Sequence, residues 1–223
     1  MKQLTSLLIK PSGPDCNLNC TYCFYLEKEE LFGNVKHRMK EDTLKEIYKQ
    51  IDGQAGDYLS ITWQGGEPSL MGLPFYKKSL EFHDRFTPHK MIDYGFQTNG
   101  ILLNKYWGKF FNENRFLIGL SLDGPEHIHD KYRVNAGGKG TFGIVRDCAK
   151  MLLDNDVQVN AMICVNAYSA DFPDEIYGFH KELGLNYMQF IPILEPCSEN
   201  PELSADYSVP ADKYGKFLNR IFD

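Results

Sequence analysis

The sequence predicts an α/β fold, a parallel sheet with helices packed outside it. Two observations carry that prediction. Short apolar runs of strand length recur along the 223 residues, and longer stretches with helical periodicity lie between them. The polar and glycine-rich segments also follow the ends of those apolar runs, which is where parallel β/α folds gather their chemistry. No low-complexity segment or long linker interrupts the alternation, so residues 1–223 read as one domain.

Strands are predicted at residues 4–10, 58–64, 91–97, 116–122, 157–165 and 187–193. Most read as near-continuous apolar runs, as strands covered on both faces do. Helices are predicted at residues 40–51, 74–86, 104–112, 141–155, 171–183 and 210–222. Pro74 and Pro210 suit first-turn positions, where a missing N–H costs nothing. Gly184 follows the fifth helix as a stop, and the glycine-rich stretch 137–140 precedes the fourth. Six such units in series either curl into a partial barrel or stay open, since eight close a full barrel.

Bulk properties narrow the class. A hydrophobic content of 43% with 13% aromatic residues is ordinary for a soluble globular chain. A net charge of −6 gives no electrostatic footprint for nucleic acid. No apolar run reaches the roughly 18–20 residues that span a bilayer, so no membrane partner is expected. The first nine residues are too short for a signal peptide and lack a small-residue cleavage site. Six cysteines with one tight group point to a reducing cytoplasm, not to a disulfide framework.

That group is Cys16-Asn17-Leu18-Asn19-Cys20-Thr21-Tyr22-Cys23, a C-x3-C-x2-C spacing followed by Phe24-Tyr25. Thiolates are soft ligands that favour iron–sulfur clusters, copper(I) or zinc. Three on one short loop suit three corners of a four-iron cluster and leave the fourth iron open for chemistry. A structural zinc site wants four ligands, and the nearest histidine in sequence is His37. A redox dithiol at Cys20 and Cys23 leaves Cys16 unexplained. Cys148 falls in a helical pattern and Cys164 in a strand pattern, where both read as small buried hydrophobes. Cys197 follows Pro196 in a loop.

The spacing C-x3-C-x-aromatic-C resembles the signature of the radical S-adenosylmethionine enzymes. The run Leu8-Ile9-Lys10-Pro11 with Cys16 through Tyr25 is similar, more narrowly, to the anaerobic sulfatase-maturating enzymes. The resemblance implies a partial (β/α)6 TIM-type barrel, with Cys16, Cys20 and Cys23 holding a [4Fe-4S] cluster. The open iron then chelates S-adenosylmethionine, and an electron from the cluster cleaves it to a 5'-deoxyadenosyl radical. The implied reaction takes hydrogen from Cβ of a Cys or Ser in a sulfatase peptide and gives Cα-formylglycine. A flavodoxin or ferredoxin is the implied electron donor.

Three further motifs match the family. Gln64-Gly65-Gly66-Glu67-Pro68 follows the second strand; its glycines allow close backbone approach and positive φ, although a plain turn needs glycine too. The resemblance has the backbone of Gly65 and Gly66, with Glu67, receive the amino group of S-adenosylmethionine, and has Gln64 face the peptide. Gln97-Thr98-Asn99-Gly100 ends in a turn signal, and the family places its asparagine near the cofactor. Ser121-Leu122-Asp123-Gly124-Pro125 leads to Arg133; by resemblance Ser121 and Arg133 hold the cofactor carboxylate, a task for which arginine is well shaped. Tyr25 is implied to sit by the radical carbon and the substrate. His127 and His129 read as loop histidines without a metal, Asp15 is given no chemistry, and residues 189–192 read as a buried strand.

The family carries a C-terminal extension with two more clusters and a catalytic base, whereas this chain stops at Asp223. The expectation is therefore a core that binds cluster and cofactor but turns over weakly. Two alternatives stand beside it. One is another peptide-modifying radical S-adenosylmethionine maturase that forms thioethers or crosslinks. The other is a non-catalytic iron–sulfur or zinc protein, which would not bind S-adenosylmethionine.

Overall fold

The computed structural model describes residues 3–26, 29–33, 35–197, 200 and 204–223. Its strands are β1 (Leu4–Ile9), β2 (Ala55–Trp63), β3 (Met91–Thr98), β4 (Leu117–Ser121), β5 (Gln158–Val165) and β6 (Tyr187–Pro192). They form one sheet in the order β1-β2-β3-β4-β5-β6, every pairing parallel. Long helices connect them: α2 (Glu41–Gln54), α3 (Leu73–Phe86), α4 (Lys105–Glu113), α6 (Phe142–Asp154), α7 (Pro173–Leu183) and α8 (Ala211–Phe222). Two one-turn helices, α1 (Glu29–Phe32) and α5 (Glu126–His129), sit in the loops after β1 and β4. The result is a partial TIM-type barrel, as the resemblance implies.

The strands are not covered on both faces. Along β2, Leu59, Ile61 and Trp63 are buried while Ser60 and Thr62 are half-buried, and β3 and β5 alternate in the same way. The outer residues meet the helices; the inner ones face a barrel that six strands leave open. Register places Gln97 beside Gly119, Gly119 beside Asn160, and Ser121 beside Met162 on that inner wall. The closed side is mostly aromatic. Trp63, Tyr76, Phe96, Trp107, Phe111 and Phe116 pack between the middle strands and α3 and α4, with edge-to-face or tilted ring contacts.

Local chemistry explains the helix ends. The Asn104 side chain accepts from the Tyr106 N–H and caps α4. Asp130 accepts from the N–H groups of Thr141 and Phe142, so a residue from the preceding turn caps α6. Gly184 closes α7 at φ 91°, a left-handed stop. Pro74 stands in the first turn of α3, as expected, whereas Pro210 is the cap residue of α8 rather than its first turn. No helix among the described residues is long and apolar enough to cross a membrane.

Candidate active site at the strand ends

The segment after β1 lies across the C-terminal ends of β2, β3 and β4. Main-chain bonds stitch it down. Gly13 O accepts from Gly66 N at 2.8 Å and Asp15 O from Glu67 N at 2.7 Å, while Asn19 N and Thr21 N donate to Val134 O and Tyr132 O at 2.8 and 2.9 Å. These contacts revise the reading of the glycines. A Cβ on Gly66 would meet Asp15 O at 2.0 Å, and one on Gly65, at φ +111°, would meet Gly13 O at 2.9 Å. The body that needs the close approach is the cysteine loop itself. Asp15, given no chemistry from sequence, ties the loop down through its carbonyl. Its carboxylate also accepts from His37 N and pairs with His37 Nδ1 and with Arg38.

All six cysteines are free thiols. Cys16 is exposed as a residue, but its sulfur tucks in beside Leu18 N and Asn99 Nδ2, while Cys20 is buried and packs inward with Leu18 and Tyr22 against Cys164 and Ile193. Desolvation pushes both thiols up to about 11, so a metal held by them would have to displace their protons. Among the described residues no three His, Cys, Asp or Glu side chains converge on one point as a single ion requires. Three soft donors spread along one loop fit the separate corners of a four-iron cluster instead. A cavity of about 730 Å3 beside the loop is lined by Cys16, Cys23, Tyr25, Leu26 and His37 among others. Lys10 Nζ stands 5.4 Å from the Tyr25 ring centroid, and the Phe24 and Tyr25 rings pack at 4.3 Å.

Glu67 does not present its carboxylate to open space. It is fully buried and accepts from Ser69 N at 2.9 Å, Thr98 Oγ1 at 2.8 Å and Asn99 N at 2.8 Å. Burial raises its carboxyl above the usual range despite these three donors. Its work is to lock the end of β2 to the end of β3. Asn99, fixed in this way, donates Nδ2 to Asn17 Oδ1 at 2.9 Å and approaches Cys16 Sγ at 3.6 Å. Gln64 continues β2, half-buried, with its N–H on Ile9 O at 3.0 Å.

Ser121 ends β4 on the inner wall and is almost fully buried. Arg133 is buried too, and its guanidinium is engaged: Nε and Nη2 donate to the two oxygens of Asp123 at 2.9 and 3.1 Å. The expectation that Arg133 grips a ligand carboxylate changes accordingly, because a carboxylate of the chain already occupies its fork. Burial works to raise Asp123, but the Arg133 charge and its hydrogen bonds hold the carboxyl below its ordinary range. Tyr22 Oη also donates to Asp123, at 2.6 Å. Neither Asp123, within the Ser121–Pro125 motif, nor Tyr22, the aromatic of the cysteine signature, carries a local signal for this contact. Cys164, read as an inert buried thiol, lies 3.5 Å from Arg133 Nη2, and its own N–H donates to Asp123 Oδ1 at 2.9 Å.

The two histidines form one helical turn, not a loop, because Pro125 O accepts from both Ile128 N and His129 N. They diverge. His129 is buried, accepts from Asp123 N at 3.3 Å and faces Thr141 Oγ1 at 3.2 Å; His127 is exposed beside Glu175.

The same half-barrel fold is found in known proteins. The radical SAM superfamily model matches residues 11–176. The chain belongs to the radical SAM superfamily. It is 40% identical to the serine-type anaerobic sulfatase-maturating enzyme of Bacteroides thetaiotaomicron over 97% of this chain and 56% of that protein. It is also 40% identical to the cysteine-type anaerobic sulfatase-maturating enzyme of Clostridium novyi, over 100% of this chain and 60% of that protein. A solved structure of native anSMEcpe with bound AdoMet and Cp18Cys peptide superposes with a TM-score of 0.90 at 36% identity, covering 99% of this chain and 59% of that one. Streptococcus suis SuiB bound to S-adenosylmethionine shares the fold, with a TM-score of 0.73 at 16% identity. The chain thus spans little more than half the length of these two sulfatase-maturating enzymes.

Proposed function

We propose that this chain is the core of an anaerobic sulfatase maturase, a radical S-adenosylmethionine oxidoreductase that converts a Cys or Ser of a sulfatase peptide to Cα-formylglycine. Cys16, Cys20 and Cys23 hold a [4Fe-4S] cluster. The observation that carries the reading is the loop of three free thiols fastened to the ends of β2 to β4, beside an open inner wall. When bound, the cluster and S-adenosylmethionine supply the 5'-deoxyadenosyl radical that removes hydrogen from Cβ.

The residues of the chain position the parts. Gly65 and Gly66 offer backbone to the cofactor amino group, with Glu67 acting by fixing that backbone rather than by direct contact. Ser121 gives a hydroxyl to the cofactor carboxylate, and Asn99 orders the outer side of the site. Arg133 acts through Asp123. Gln64 on the inner wall and Tyr25 at the loop end face the client peptide, with Lys10 against the Tyr25 ring. A small acidic electron carrier such as a flavodoxin or ferredoxin, in the cytoplasm, supplies the electron.

The test is anaerobic reconstitution with iron and sulfide, followed by S-adenosylmethionine, dithionite and a sulfatase peptide carrying Cys or Ser. Release of 5'-deoxyadenosine by the chain and none by Cys20→Ala is the expected result, with weak peptide turnover: a mass lower by about 2 Da for Ser, from loss of two hydrogens, or by about 18 Da for Cys, from loss of two hydrogens and replacement of its sulfur, released as sulfide, by oxygen from water. A formed cluster with no S-adenosylmethionine binding would overturn the reading.

A further inference from the structure

Asp123 collects more hydrogen bonds than any turn residue needs. It lies just past β4 and is 1% exposed. Its two oxygens accept from Tyr22 Oη, Arg133 Nε, Arg133 Nη2 and Cys164 N, all between 2.6 and 3.1 Å. The donors come from the cysteine loop, from the segment after α5 and from β5. Tyr22 stands between Cys20 and Cys23 in the chain, and the Arg133 guanidinium lies 5.5 Å from the Tyr22 ring centroid. The main chain repeats the connection, since Tyr132 O and Val134 O, on either side of Arg133, accept from Thr21 N and Asn19 N.

Electrostatics point the same way. Asp123 and Arg133 place opposite charges 2.9 Å apart against the cysteine loop, Asp123 through its bond from Tyr22 Oη and Arg133 over the Tyr22 ring. The two charges therefore oppose each other at the loop. Neutralising one leaves the other uncompensated in a water-poor region, where charges are weakly screened.

We propose that Asp123 is a positioning residue of this enzyme: it fixes the inner half of the cysteine loop through Tyr22, and with Arg133 it sets the field in which the cluster accepts its electron. This rests on the reading that Cys16, Cys20 and Cys23 hold a cluster. Asp123 itself needs no contact with cofactor or substrate.

The experiment compares Asp123→Asn, Asp123→Glu and Tyr22→Phe with the parent chain after anaerobic reconstitution. The readouts are bound iron and sulfide, the rate of cluster loss to a chelator, and the midpoint potential from an EPR-monitored titration. Failure of the parent chain to form a cluster would sink the functional reading and is seen before any variant is made. With the parent cluster formed, Asp123→Asn leaves Arg133 unbalanced and favours the added electron. Its reduction equilibrium is expected to shift tenfold or more toward the reduced form, about 59 mV upward for one electron. Asp123→Glu is expected to restore most of that shift. Tyr22→Phe keeps both charges, so its potential is expected to stay while cluster loss speeds severalfold. Were Asp123→Asn not to fold, the Tyr22→Phe loss rate alone decides. An unchanged potential in a folded Asp123→Asn, or an unchanged loss rate in Tyr22→Phe, would overturn the proposal.

Discussion

The two ends of the half-barrel each bury a polar network, and the networks differ in kind. At the C-terminal end of the strands, Asp123 and Arg133 form a buried ion pair that reaches into the cysteine loop and β5. Toward the opposite end, Tyr48 Oη lies 2.7 Å from Ser79 Oγ and 3.0 Å from Tyr94 Oη, and Tyr94 Oη lies 3.0 Å from His83 Nδ1. That second network joins α2, α3 and β3 within the ordinary helix-on-sheet contact and touches no loop of the site. One end spends charge to place loops against each other; the other satisfies hydroxyls that aromatic packing has carried inside. Buried charge is an expensive way to hold a fold, so its presence at one end marks where geometry matters beyond stability.

The largest effect separating the two ends follows from breaking the ion pair. Arg133→Ala leaves the Asp123 carboxylate buried with no cation, and removing one partner of such a pair costs roughly 3–5 kcal/mol. Urea unfolding of the metal-free chain measures it. A loss under about 1 kcal/mol, the level of a surface pair, would mean that water reaches Asp123 and that the two ends are alike.

Acid sharpens the contrast next. His129 supports the Asp123 backbone from below, and burial lowers its pKa from 6.5 to about 4. The unfolded chain takes up a proton near 6.5 while the folded chain refuses it until about 4. The contribution is therefore complete above pH 6.5 and is lost as pH falls toward 4, about 3 kcal/mol in total. His180, whose Nε2 lies 3.0 Å from Leu122 O, is lowered by burial as well and adds in the same direction. The network around Tyr48 gives no such term from its tyrosines, since burial raises Tyr48 to about 12 and Tyr94 further still. Unfolding followed from pH 7 to pH 4 in the parent and in His129→Gln tests this: the parent should lose stability faster, and parallel curves would remove His129 from the account.

Much of this was legible in the sequence, and the boundary is physical. Strands and helices were predicted close to their observed bounds because each is written in local periodicity. The inner face of the sheet was misjudged, although Ser60 and Thr62 between Leu59, Ile61 and Trp63 already carried the alternation. The cysteine group was legible because its three thiols lie within one loop. Gly66 stood out as a glycine, but that it makes room for Asp15 O was not, because that contact exists only once two loops meet. The same holds for Asp123. Its bond to Tyr22 spans 101 positions, and nothing near either residue announces it. Local signals name the chemistry; the residues that hold it in place are chosen by the fold.

The smallest effect tests the quiet end. Tyr48 is fully buried, and its hydroxyl bridges Ser79 and Tyr94. Tyr48→Phe keeps the ring, its packing and the volume, and removes only the bridge. Ser79 and Tyr94 can still turn toward other acceptors, since Tyr94 retains His83. The expected cost is about 1 kcal/mol, the net worth of a neutral hydrogen bond rather than of an orphaned charge. Cluster content and midpoint potential after reconstitution should match the parent, because no atom of this network reaches the cysteine loop. A potential that moved with Tyr48→Phe would show that the two ends are mechanically coupled through β2 and β3, and the division between a structural and a positioning network would have to be redrawn.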